Sequence, residues 1–361
     1  MKLRMPLGRG NVDSKSELRL GLNVCQFAET ALGRGEPVRL VVVSEQVELG
    51  VFADLAAGEI GRAGVWQTGS TVAGDPAAAL TLGLTFGGSK TENTTGSGQE
   101  SWPKILEALP AERWWLLGQT PDGIWQIALY LDEEAKQGLL DAHAQLQFQP
   151  VTAVGAWFND EDALLGTQAV ALARWHGTTK FCTRCGKPVT VTEAGWSVTC
   201  TGCQAIEYPR SDPAVIVAIT DNQDRLLLMH DKTWPAGRVS VLAGFVEAGE
   251  SPERTVVREA REEAGLQVDS VEYVGSQSWP QPRSLMLCFT AKTVGEGADI
   301  PQPDGQEIDD ARFYSREELT LLVRAGKLTL PGETAVARVL ISSWFGQPLP
   351  DVQQPAVTDA S

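Results

Sequence analysis

The hydrophobic pattern changes character along the chain. Up to about residue 172, alternating apolar stretches such as RLVVVSEQVELGVFA and WWLLGQTPDGIWQIALYL are separated by turn signals, which predicts a strand-rich region. Within it, GGSKTENTTGSGQES at 87 to 101 is small and polar and reads as a surface loop. EDALLGTQAVALARWH then places its apolar residues at helical spacing. Further on, AVIVAIT and RLLLMH are short apolar runs parted by DNQD, a hairpin pattern, and VSVLAGF leads into a highly acidic stretch. Strands are also predicted at SVEYVG and SLMLCFTA, and helices at SREELTLLVRAG and GETAVARVLISSWF. The final GQPLPDVQQPAVTDAS has little to bury, so 346–361 is expected to be a disordered tail. These patterns divide the chain into an N-terminal α+β domain over 1–172, a cysteine-containing segment over 173–208 and an α/β domain over 209–345.

Composition narrows the classes. With 361 residues, 43% of them apolar and 21% charged, the chain can build two or three domains with sizeable cores. No segment approaches the roughly 18 uninterrupted apolar residues of a membrane span, and no apolar run follows the basic residues of MKLRMPLGRGNVDSKSE. A soluble, cytoplasmic protein with no membrane partner is expected. The net charge of -16 opposes binding of a long polyanion but leaves room for a small anion held through metal ions. Four of the six cysteines are clustered, while Cys25 and Cys288 stand alone and read as buried thiols, a pattern of reduced cysteines rather than a disulfide framework.

The cluster, FCTRCGKPVTVTEAGWSVTCTGC, sets two Cys-x2-Cys pairs 14 residues apart. Each pair can offer two thiolates from a tight turn to one tetrahedral ion, so Cys182, Cys185, Cys200 and Cys203 read as a zinc ribbon. Four protein ligands leave no open position, which makes the Zn²⁺ structural. Two matched pairs fit unrelated cysteines or a redox pair poorly. A nucleic-acid grip by the ribbon is disfavoured, because its loops carry Lys180, Arg184 and Lys187 and few aromatics.

The acidic stretch is GFVEAGESPERTVVREAREEAGL, residues 244–266, with six glutamates. Ser251 and Pro252 suit the start of a helix and Gly265 its end, giving a helix over about 252–264. Glu259, Glu262 and Glu263 then share one face, while Val257, Ala260 and Ala264 can dock on a core with the carboxylates turned away from it. A solvated acidic face is inexpensive, since like-charge pairs at i,i+4 cost only about 0.2–0.5 kcal/mol. Converging carboxylates are also hard oxygen ligands for Mg²⁺ or Mn²⁺, ions that bind phosphate and activate water.

The full spacing decides between them. Gly244, Glu250, Arg258-Glu259-Ala260, Glu262-Glu263 and Gly265-Leu266 match the Nudix box residue for residue, and the chain resembles a Nudix hydrolase. That resemblance implies an α/β/α sandwich with a mixed sheet that cleaves a nucleoside diphosphate linked to another moiety. It implies that Glu259, Glu262 and Glu263 bind Mg²⁺ or Mn²⁺ and help position the attacking water, the general base remaining unassigned. It also implies that Arg258 orients the glutamates and that Glu250 supports the loop by a salt bridge.

The ribbon before the box, WH-x4-FC-x2-CG at 175–186, YPRSDPAVI at 208–216 and SQSWPQPRSLM at 276–286 together resemble the NADH pyrophosphatases, also called NAD-capped RNA hydrolases, over about 172–345. By this resemblance NADH or NAD⁺ is cut to AMP and nicotinamide mononucleotide, the NAD cap of RNA is a second substrate, and the enzyme is a homodimer. Phe245 would stack on nicotinamide, with Tyr208 coming from the partner subunit; from the residues alone, each is equally well a core aromatic. Gln277, Ser284, Met286 and Ala337 would line the pocket, and Glu307 would complete the metal site beside Asp309 and Asp310. Ser278 and Gln281 depart from the family's proline and phenylalanine, which touches substrate preference more than fold or reaction. Hydrolysis of ADP-ribose or dinucleoside polyphosphates, and nucleotide sensing without turnover, are the alternatives. His143, His176 and His230 accompany no nucleophile motif, and His176 reads as part of the fold around the ribbon.

Overall fold

The computed structural model describes residues 5–7, 10–34, 36, 38–53, 80–82, 84–86, 108–143, 146–295 and 300–350. The expected surface loop at 87–101 lies outside these residues, as does the expected tail beyond residue 350.

In the N-terminal part, strands β1 (Val38–Ser44), β2 (Leu49–Ala53), β3 (Leu80–Leu82), β4 (Leu84–Phe86), β5 (Trp114–Gln119), β6 (Trp125–Leu131) and β7 (Leu146–Gln149) form one sheet. Its order is β3-β2-β1-β6-β5, with β4 on β1 and β7 on β2; β1 and β6 run parallel and the other pairings are antiparallel. The central strands are covered on both faces, which is why their sequences are nearly continuous apolar runs. Val41, Val43, Trp115 and Ala128 pack toward helix α4 (Asp160–Thr178), beyond the single turn α3 (Val151–Val154). Leu40, Val42, Leu116 and Ile127 pack toward α1 (Val24–Gly33) and α2 (Glu133–Ala142). Cys25, expected buried, is only partly so, at the second position of α1 after Val24, whereas Cys288 is buried and its thiol is pushed up to about 12 by burial.

A three-stranded antiparallel sheet follows, β8 (Val189–Thr192), β9 (Ser197–Cys200) and β10 (Ile206–Glu207). It is anchored to the first sheet by Trp196, whose Nε1 donates to the Leu116 carbonyl at 2.7 Å. Beside it, His176 at the end of α4 is buried, stacked on Trp115 at 4.7 Å, and its Nε2 lies 2.8 Å from the Gly195 carbonyl.

The third sheet is mixed. It comprises β11 (Asp212–Thr220), β12 (Leu226–Asp231), β13 (Leu242–Phe245), β14 (Val268–Trp279), β15 (Ser284–Thr293) and β16 (Ile308–Tyr314), in the order β14-β15-β11-β12-β16 with β13 on β11. Only β11 and β15 pair in parallel. Val215, Val217 and Ile219 of β11 face helix α5 (Pro252–Ala264), while Ile216 and Ala218 face α6 (Arg316–Arg324) and α7 (Val336–Phe345). A sheet between two helical layers is the expected α/β/α sandwich, and its central strand is apolar at every step because both faces are covered.

Burial lowers the His176 pKa to about 4, so the folded protein keeps the ring neutral where an unfolded chain protonates it near 6.5. Unfolding therefore takes up a proton between those values. The stability tied to His176 is complete above about pH 6.5 and falls as the pH drops toward 4. Denaturant unfolding at about pH 7 and about pH 4.5 should show His176→Gln, which keeps an N–H for the Gly195 carbonyl, losing about 2 kcal/mol less than the parent.

Candidate active site

Helix α5 begins where its sequence dictates. Ser251 Oγ accepts the Arg254 N–H at 3.4 Å, Pro252 occupies the first turn, and Gly265 closes the helix at φ 65°, with the Leu266 N–H reaching back to the Ala260 carbonyl at 3.0 Å. Val256, Ala260 and Ala264 are buried against the sheet, so Val256 takes the central docking position and Val257 stands at its edge. The carboxylates are not all turned from the core, as the helical spacing had suggested. Glu259 and Glu263 are buried, and only Glu262 is exposed.

The reason lies one strand away. A Cβ on Gly244 of β13 would overlap the Glu259 carboxylate, so the missing side chain is what lets Glu259 lie against the strand. Arg258 offsets the charge. Its Nη1 reaches Glu259 at 2.9 Å and Glu262 at 3.0 Å, and its Nη2 donates to Glu250 at 3.0 Å and to the Phe245 carbonyl at 2.9 Å. Glu250 also accepts from Thr255 Oγ1 at 2.8 Å, and Arg258 above all holds its carboxyl down at about 2. The three carboxylates in turn hold the Arg258 pKa above its usual value, the Glu250 hydrogen bonds contributing most. Burial outweighs Arg258 at Glu259, whose pKa is raised.

Glu263 has a different surrounding. It is pushed up to about 8 by burial first, then by the negative charge of Glu259, Glu307, Asp304 and Asp231. A buried carboxyl beside like charge is what a divalent cation would relieve, and the donors are the hard oxygens that Mg²⁺ and Mn²⁺ prefer, so by donor chemistry these residues fit such an ion, although the carboxylates do not converge into a metal-ligand group as the cysteines do. Glu307 is exposed on the turn before β16, and its backbone is held at both ends: Asp304 Oδ1 accepts its N–H at 3.1 Å and the Lys232 N–H donates to its carbonyl at 3.1 Å. Asp304 and Asp231 were missed from sequence, although the turn signal PDG marks the first. Asp309 is engaged elsewhere, 2.6 Å from His230 Nδ1.

On the other face of the sheet the strand register aligns the expected pocket residues. Phe245 of β13 pairs with Ala214 of β11, Ala214 with Met286 of β15, and Met286 with Gln277 of β14, one row across four strands. Phe245 is 57% exposed, so it is not a core aromatic, and Tyr208 is equally exposed. Gln277, Ser284 and Ala337 are buried, with Ala337 in the same cluster that Met286 adjoins. Gly244 and Phe245 are successive residues of one strand and therefore point to opposite faces, one toward Glu259 and the other into the row.

The four cysteines converge. Their sulfur atoms all lie within 4.8 Å of one another, the only such group of possible metal ligands among the described residues. Cys182 and Cys203 sulfurs are 3.7 Å apart and Cys185 and Cys200 sulfurs 3.4 Å, close to the roughly 3.8 Å edge that Zn–S bonds of about 2.3 Å give a tetrahedron. N–H groups of Cys203 and Gly202 point at Cys200 Sγ, both at 3.3 Å, and pull its thiol down to about 6. The set is consistent with a zinc ribbon.

Comparison with known proteins identifies the family. The NUDIX domain model matches residues 210–331. NAD-capped RNA hydrolase NudC of Mycobacterium tuberculosis (strain ATCC 25177 / H37Ra) is 38% identical over 238 residues, covering 63% of this chain and 74% of that protein. The chain belongs to the Nudix hydrolase family, enzymes that need a divalent metal. Its similarity extends to the mitochondrial NAD(P)H pyrophosphatase NUDT13 of Mus musculus, 36% identical over 197 residues, covering 52% of this chain and 56% of that one. NudC of Pseudomonas aeruginosa (strain LESB58) is 39% identical over 188 residues, covering 52% of this chain and 63% of that one.

Gly244→Ala should leave the protein folded, at a cost of about 1–3 kcal/mol, while displacing Glu259 and cutting turnover at least about 100-fold, measured by thermal unfolding and steady-state rates. Stripping metal with a thiol-tolerant chelator should release about one zinc per chain and unfold 180–207, seen as loss of amide protection there, because structural zinc contributes on the order of 10 kcal/mol.

Proposed function

We propose that the protein hydrolyses the pyrophosphate bond of NADH or NAD⁺, giving AMP and reduced or oxidised nicotinamide mononucleotide, and removes the same group as the NAD cap of RNA. The observation that carries this reading is the β13 terminus, where Gly244 admits the Glu259 carboxylate and the next residue, Phe245, presents an exposed ring on the opposite face. A dinucleotide passing over that strand end would have its diphosphate at the acidic helix and a base against the aromatic. The names of the mycobacterial and mouse relatives support the substrate.

Glu259, Glu262, Glu263 and Glu307 would hold Mg²⁺ or Mn²⁺, which supplies charge neutralisation and an activated water when bound. Arg258 fixes Glu259 and Glu262 relative to the Phe245 carbonyl, so metal site and base platform move as one piece. Met286, Gln277, Ser284 and Ala337 form the floor and rim of the pocket. In the reaction the water oxygen bonds to one phosphorus and the P–O bond from that phosphorus to the bridging oxygen breaks, its electron pair leaving with the oxygen on the other phosphate; one water proton stays on the newly hydroxylated phosphate and the other passes to the departing phosphate or to solvent.

The cysteine ribbon carries structural Zn²⁺, in a cytoplasmic protein organised as domains 1–172, 173–208 and 209–345. No helix among the described residues is long and apolar enough to cross a membrane. Exposed Phe181, Ile206 and Tyr208 on and beside the ribbon suit burial in a homodimer, which would bring Tyr208 to a partner's pocket. The charge of -16 limits contact with the RNA body to its capped end.

Incubation with NADH should yield AMP and reduced nicotinamide mononucleotide only when Mg²⁺ or Mn²⁺ is present, and Glu262→Gln should abolish turnover with the fold intact. Intact NADH alongside cleaved ADP-ribose or dinucleoside polyphosphate would redirect the substrate assignment, and binding without turnover of any diphosphate would make the protein a sensor.

A further inference from the structure

The residues of the pocket rim are tied to the N-terminal part of the chain by a buried junction. Gln277, 2% exposed, has both ends of its amide engaged within the protein: Oε1 accepts the Leu7 N–H at 3.0 Å, and Nε2 donates to the Thr334 carbonyl at 3.0 Å. Thr334, equally buried, accepts the Ala156 N–H on its Oγ1 at 3.2 Å. The segment around Leu7 straddles two cores, with Met5 in the cluster between α7 and the mixed sheet and Leu7 in the cluster between α4 and the N-terminal sheet. Trp279, at the end of β14, crosses the other way and packs on the N-terminal cluster. Gln281, where the family pattern has phenylalanine, directs its Nε2 to Thr152 Oγ1 of α3 at 3.4 Å.

We propose that the N-terminal unit is a positioning element for the substrate site: through Leu7, Ala156 and Thr152 it sets where the β14–β15 hairpin and the Thr334 turn stand. Gln277 acts in this as a tie between three segments as well as a part of the rim, and Gln281 is a contact between units. The physical basis is that a buried amide with both ends paired has one low-energy orientation, because turning it would strand an N–H and a carbonyl without partners. Met286 and Phe245 share the row with Gln277, so a shift of β14 changes the width available between the aromatic platform and the rim.

Thr334 meets the row only through its backbone carbonyl, which accepts from Gln277, while its side chain accepts from Ala156, so a side-chain change at Thr334 leaves the acidic helix and the row's own residues intact. In the full chain, Thr334→Val removes the acceptor for the Ala156 N–H at nearly constant volume and Thr334→Ser keeps it. Amide hydrogen exchange over 276–286 should rise about tenfold in Thr334→Val, with α5 unchanged and Thr334→Ser like the parent, since one internal hydrogen bond contributes that order of equilibrium constant. The kinetic readout rests on the proposed pyrophosphatase reading: KM for NADH should rise about tenfold with kcat within about twofold. Unchanged hairpin exchange, or a rise spread evenly over the whole chain, overturns the proposal. If the parent leaves NADH intact, that refutes the substrate reading, and the exchange result alone decides the junction. Should Thr334→Val not fold, Thr152→Val, which removes the acceptor of Gln281, is read by the same exchange criterion.

Discussion

The site depends on one guanidinium. Arg258 lies within 3.0 Å of carboxylate oxygens from Glu250, Glu259 and Glu262 and still spends a donor on the Phe245 carbonyl. Without it, three acidic side chains on one helix and its leading loop would repel each other and the strand end. A planar cation with five N–H donors in a fixed fork can meet three partners in set directions, which a lysine could not. Glu263 takes no part in this pairing with Arg258; burial first, then the charge of Glu259, Glu307, Asp304 and Asp231, pushes its carboxyl up. One side of the helix thus has a guanidinium shared among three carboxylates, and a divalent cation would be drawn to the acidic groups around Glu263.

What was legible from the residues was local. The bounds of α5 follow from Ser251, Pro252 and Gly265, each acting within a turn of itself, and the zinc ribbon follows from spacing alone. The burial of Glu259 was not legible as burial, because it depends on a glycine in a strand fifteen positions earlier and on how closely that strand approaches the helix. The row of Phe245, Ala214, Met286 and Gln277 required the register of four strands, which no single segment encodes. Asp304 escaped notice because its carboxylate works on backbone N–H groups, a role that any turn aspartate can play.

The N-terminal part carries no motif, and its sequence reads as strands and little else. Its central strands are apolar on both faces, so they lack the in-and-out alternation that would have told which side was core. Part of its relation to the rest of the chain is carried by a few polar atoms, those of Gln277 and Thr334, whose partners are remote in sequence, beside the apolar crossings of Met5 and Trp279. Such contacts leave no periodicity and no spacing to find.

The bond from Leu7 to Gln277 spans 270 positions, and this has a bearing on synthesis. As the chain leaves the ribosome, the N-terminal sheet can condense on its own helices, but the Leu7 amide and the Met5 side chain have nothing to meet until nearly the whole polypeptide has emerged. Met5 and the Leu7 amide, made ahead of the sheet they precede, therefore find their partners after it. Truncated or stalled products would leave the Met5 side chain and the Leu7 amide without partners, a feature by which quality control can tell an unfinished chain from a finished one.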